Sequence, residues 1–108
     1  MKVKLNTDIQ NKIDWAIKQI LDIGNPVRIY LFGSYAKGLE NENSDLDFCI
    51  LEKENLNSKK YYKALFQLNH SKNIIIRSFD KFESLKSNIN TIEYDIYNEG
   101  ILLYERKS

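Results

Sequence analysis

The chain predicts an α/β fold of the α+β kind, a small mixed β-sheet with helices packed mainly on one face. Three observations carry that expectation. Apolar residues recur at helical spacing near the N-terminus, four short apolar runs have strand length, and the elements follow the order helix, strand, strand, helix, strand, helices, strand.

From Asp8 to Ile23, the residues Ile9, Ile13, Ala16, Ile17, Ile20 and Leu21 form one apolar stripe, with Trp15 beside it in a half-buried or interface position. Thr7 and Gln10 are placed as a capping box, Gly24 as a left-handed cap, and Asn25-Pro26 stops the helix. Val27 to Phe32 is branched and aromatic apart from Arg28, which predicts a buried strand broken by Gly33. Leu39 to Asn43 is a solvated loop, and Leu46 to Leu51 is a second strand, adjacent to the first across this short connection. Ser58 to Asn69 sets Tyr61, Tyr62, Leu65, Phe66 and Leu68 at helical spacing, with Asn57 or Ser58 as cap. The β-branched run Ile74-Ile75-Ile76 predicts a central strand. Asp80 to Ser87 and Thr91 to Glu99 suggest two short helices, and Gly100 opens a last strand, Ile101 to Tyr104.

At 108 residues the chain fits one domain, residues 1–108, with a real core but little room for an elaborate recognition surface. Sixteen basic against fifteen acidic side chains leave a net charge of +1, far from the basic footprint of a dedicated nucleic-acid binder. The single cysteine, Cys49, lies inside an apolar run and suits a reducing cytosol. No signal-peptide core and no run of roughly 18 apolar residues occurs, so the expectation is a soluble cytoplasmic protein.

The chemistry concentrates in Leu31-Phe32-Gly33-Ser34-Tyr35-Ala36-Lys37-Gly38 and Ser44-Asp45-Leu46-Asp47-Phe48. Gly33 permits a close turn at a strand end, and Ser34 to Lys37 can begin a short helix whose backbone N–H groups point at an anion. Alternation along a strand puts Asp45 and Asp47 on one face with Leu46 on the other. Paired carboxylates repel unless a cation sits between them, and magnesium favours one or two carboxylates together with substrate phosphates. A Gly-Ser turn or an Asp-x-Asp alone is weak, but their ordered combination beside two buried strands points to chemistry on a nucleoside triphosphate. Lys37 adds a positive charge nearby, with a solvated lysine as its plainer reading, and Tyr35 is the tyrosine placed to meet a nucleotide. His70 is read as a helix-end cap, and Lys59-Lys60 and Arg106-Lys107 as solvated basic pairs.

Gly33-Ser34, ten residues, then Asp45-Leu46-Asp47 resembles the signature of the DNA polymerase β-like nucleotidyltransferase superfamily, in its minimal nucleotidyltransferase branch. The leading helix, the segment Arg77 to Phe82 and the ending Gly100 to Glu105 extend the resemblance over nearly the whole chain. It implies the nucleotidyltransferase fold, catalysis and magnesium ligation by Asp45 and Asp47, phosphate contact by Gly33 and Ser34, and transfer of AMP from ATP. It further implies an antitoxin role beside a HEPN ribonuclease toxin, some relatives transferring AMP to a tyrosine of that toxin. One position departs from the pattern. Counting back from Phe82, a third carboxylate is expected where Asn73 stands, and asparagine neither binds a metal strongly nor accepts the proton of an attacking hydroxyl. Asp80 and Glu83 are the nearest substitutes, beyond the strand. Two readings follow: a slow or partner-dependent transferase, or an antitoxin that binds nucleotide or toxin and neutralises by occlusion. A small-molecule transferase acting as an oligomer is a third.

Overall fold

A computed structural model describes residues 7–39, 46–53, 59–65 and 73–107. In chain order the elements are α1 (Thr7–Ile23), β1 (Arg28–Phe32), α2 (Ser34–Lys37), β2 (Asp47–Glu52), α3 (Lys59–Leu65), β3 (Asn73–Ser78), α4 (Phe79–Leu85), α5 (Ile92–Glu99) and β4 (Ile101–Glu105). The four strands form one mixed sheet in the order β3-β2-β1-β4. β1 is antiparallel to β2 and β4, whereas β3 runs parallel to β2, so α3 lies in the crossover between them.

The two sheet faces carry separate cores. Ile29, Leu31, Phe48, Ile50 and Ile74 pack with Ile13 and Ile20 of α1 and with Tyr61 and Leu65 of α3. Tyr30, Cys49 and Leu51 point the other way and meet Phe82 of α4 and Ile96 of α5, with the Tyr30 and Phe82 rings stacked at 5.5 Å. α1 and α3 therefore share one face and α4 and α5 cover the opposite one, so the helices are not gathered mainly on one face, because both sheet faces are apolar. Each fully buried leucine, isoleucine or phenylalanine contributes roughly 1.5–3 kcal/mol.

Several local expectations change in three dimensions. Thr7 is already helical, and Gln10 Nε2 donates to Asp14 Oδ1 at 3.0 Å, one turn onward, in place of a capping box. Gly24 closes α1 through its N–H on Ile20 O at 3.0 Å without a positive φ, which among the described residues belongs to Gly33 and Gly38. Its hydrogen side chain makes room: a Cβ there would collide with the Tyr61 hydroxyl. That hydroxyl donates to the carboxylate of Glu52, which is 5 % exposed, so Gly24 lets α3 satisfy a buried acid. Of the expected second helix, Lys59 to Leu65 is described, with Tyr62 exposed, and Phe66, Leu68 and His70 lie outside the described residues. Among the described strands β3 lies at the edge of the sheet and not at its centre. The caps of α4 and α5 are Ser78, whose Oγ accepts from Lys81 N, and Thr91, whose Oγ1 accepts from Tyr94 N.

Charged groups close the end of the sheet where β1 begins. Arg28 Nε lies 2.8 Å from Glu105 Oε2, its Nη1 3.6 Å from Glu83 Oε2, and its guanidinium 5.2 Å from the Phe79 ring centroid. Arg106 is not simply solvated: Nη1 donates to Asn25 O at 2.9 Å and ties the C-terminal segment to the α1–β1 turn. No described helix is long and apolar enough to cross a membrane.

Burial pushes the Cys49 thiol up from its ordinary 9.0 to about 12, because the thiolate would have to form inside the α4–α5 core. A folded-state pKa raised in this way favours the folded protein below pH 9, and that contribution is lost as the pH rises to about 12. Alkylation by iodoacetamide at pH 8 is expected only at the rate of core opening, followed by mass spectrometry. Immediate labelling of the folded chain would contradict this.

Candidate active site

The C-terminal end of β1 and the N-terminal ends of β2 and β3 converge, because β2 runs against β1 and β3 runs with β2. Phe32 is the register partner of Asp47, and Asp47 in turn is the register partner of Asn73. The fully buried Leu46 pins the entry to β2, so Asp47 is delivered to a defined place.

Gly33 has φ 77 and ψ −153, a region essentially restricted to glycine. A Cβ there would collide with Asp47 Oδ2 and lie 3.1 Å from Asp47 Cγ. The glycine thus serves twice, turning the chain out of β1 and leaving space for the carboxylate across from it. Next comes the single-turn α2, anchored in the core by buried Tyr35 and Ala36 and ended by Gly38 in the left-handed conformation. Ser34 opens α2 and is half-buried. Asp45 lies outside the described residues. The structure therefore brings Gly33, Ser34, Asp47 and the backbone of Asn73 to one end of the sheet.

Residues 15–108 match the family model for polymerase beta nucleotidyltransferases. The chain belongs to this family. It is a minimal polymerase β-like nucleotidyltransferase domain, and its mixed sheet with five helices is the nucleotidyltransferase fold. A solved structure from Sulfolobus solfataricus, described as a candidate nucleotidyltransferase, is similar over 95 % of this chain and 91 % of its own. The TM-score is 0.58 at 16 % identity, a likeness of fold. No curated protein matches the chain significantly.

Within this nucleotidyltransferase domain, several side chains take roles other than those expected. Lys37 Nζ lies 3.0 Å from Glu99 Oε2 and 3.6 Å from Asp95 Oδ2, so its charge ties α2 to α5. The hydrogen bond to Glu99 and the charge of Asp95 raise the lysine pKa. Tyr35 packs in the core and is buried. Glu83 is held by Arg28 at 3.6 Å and Lys86 at 2.8 Å. Arg28 starts β1, four residues before Phe32, which sets this acid roughly 13 Å along the sheet from Asp47. Asp80 is exposed in the first turn of α4, after the far end of β3. Neither replaces the third carboxylate.

No group of three or more His, Cys, Asp or Glu side chains suited to a metal occurs among the described residues. The donor chemistry still fits magnesium: Asp47 supplies carboxylate oxygens, Asp45 stands two positions before it, and the missing Cβ of Gly33 keeps bulk away from that carboxylate.

Proposed function

We propose that this domain transfers AMP from ATP to a hydroxyl of a partner protein, and that it acts in the cytoplasm as the antitoxin of a HEPN ribonuclease toxin. The observation that carries the reading is the apposition of the Gly33 turn and the Asp47 carboxylate. On this reading the turn binds phosphate and the acid facing it binds metal, the two parts that catalysis on a triphosphate requires. Bound magnesium, held by Asp45 and Asp47, would neutralise charge on the triphosphate.

The chain's own contribution is positioning. Backbone N–H groups at Gly33 and Ser34 hold the phosphates so that the α-phosphorus faces the acceptor. The acceptor oxygen forms its bond to phosphorus as the bond to the bridging oxygen breaks, pyrophosphate departs, and the hydroxyl proton passes to a base. Asn73, in register with Asp47, cannot take that proton, so the partner or solvent accepts it.

The same asparagine supports a second reading, neutralisation by occlusion without turnover. Incubation with α-labelled ATP and the protein encoded next to this chain separates the two. Transfer predicts label on the partner that disappears in the Asp45→Ala, Asp47→Ala double variant. A partner that never takes label, yet is still neutralised by the double variant, would replace transfer with occlusion.

A further inference from the structure

The outer side of β3, with which no described strand pairs, is closed by side chains. Tyr62 Oη donates to Ile74 O at 2.5 Å, and Arg77 Nη1 donates to Ile76 O at 3.2 Å. Carbonyls two residues apart share one side of a strand, so these two point to the open edge. Beside that edge β3, α4 and α5 enclose an open groove of about 440 Å³, in the size range of ligand sites. Its walls combine apolar Leu85 and Ile92 with Arg77, Ser78, Lys81 and Glu93, while Ile76 borders it from β3 with its side chain packed toward the opposite core. Glu93 is 5 % exposed and lies 3.6 Å from Arg77 Nε, so those two charges balance. Lys81 makes no ion pair among the described residues, which leaves the groove one positive charge in excess.

We propose that this groove receives an extended acidic peptide segment of another protein. The segment adds to the outer edge of β3, places a carboxylate between Arg77 and Lys81, and rests an apolar residue two positions away, on the same face, against Leu85 and Ile92. An edge strand is a ready template for such addition, with backbone bonds giving affinity and alternate side chains giving specificity. Tyr62 and Arg77 are partly exposed side chains, so an incoming strand displaces them without disturbing either core. Arg77 then exchanges a 3.2 Å bond to a carbonyl for a charge-assisted bond to the peptide. A small inorganic anion would leave the apolar wall uncovered, and a nucleic acid would call for a far larger excess of positive charge. The inference rests on the groove alone and is independent of turnover at Asp47.

The test is titration of the ¹⁵N-labelled full chain with a blocked hexapeptide that carries aspartate and isoleucine two positions apart on a threonine background, and with its lysine counterpart. Saturable shifts at the amides of Ile76, Arg77, Ser78, Lys81 and Glu93 with the acidic peptide alone are expected. Lys81→Glu, which leaves the Arg77–Glu93 pair in place, is expected to weaken binding by about tenfold or more. Arg77→Gln gives a second reading where its spectrum shows a folded chain. No saturable shift at millimolar peptide, equal binding of the lysine peptide, or unchanged affinity in Lys81→Glu would overturn the proposal.

Discussion

Replacing Gly33 with alanine is expected to weaken magnesium-dependent ATP binding and to lower thermal stability together. Two costs coincide at this position. The backbone at φ 77 and ψ −153 strains any side chain by about 1–3 kcal/mol. The new methyl would also collide with Asp47 Oδ2, so either the turn or the carboxylate must move. Because 1.4 kcal/mol is a factor of ten, holding the turn and carboxylate in place against a cost of about 1–3 kcal/mol lowers affinity for a fluorescent ATP analogue with magnesium by about 5- to 150-fold. The melting temperature is expected to fall by about 4–8 °C for each kcal/mol of strain. Gly38→Ala is the control, since Gly38 has φ 72 at the far end of α2 and is exposed. It should lower stability while sparing nucleotide affinity. Equal affinity in both variants would show that the contact with Asp47 plays no part in binding.

The second large effect is a gain. Asn73→Asp sets a carboxylate at the register position beside Asp47, on strands about 4.8 Å apart. A positioned general base is worth about 10²–10⁴-fold in rate, so single-turnover transfer of α-label to the partner is expected to rise by about 10²-fold. Nucleotide affinity, measured in parallel, should change far less than the rate. An unchanged rate with intact ATP binding would place the proton acceptor elsewhere, in the partner or in solvent.

Much of the fold was legible because helices and strands announce themselves through local periodicity. The stripe Ile9, Ile13, Ala16, Ile20 is buried as the 3.6-residue repeat requires, and the runs ending at Phe32 and beginning at Leu46 became the paired strands β1 and β2. The candidate site was legible in part for a related reason. A glycine that must turn a strand and an acid that follows a buried leucine sit at strand ends, and strand ends can be located. Lys37 was harder, since its partners Asp95 and Glu99 lie some sixty residues away in sequence. Gly24 looked like a left-handed cap, but its neighbour Tyr61 belongs to a different helix.

β3 shows the limit most plainly. Three consecutive isoleucines suit a sheet centre or an edge shielded by helices, and composition does not separate the two. Its place was decided by the parallel crossover through α3, which sets β3 outside β2 and leaves its far side to Tyr62, Arg77 and the α4–α5 groove. The linear order of residues established the elements and the chemical character of Gly33, Ser34, Asp45 and Asp47, because those follow from neighbours along the chain. The contact of Gly33 with Asp47, the register of Asn73 and the groove beside β3 came from packing between distant segments, whose energies no local pattern encodes.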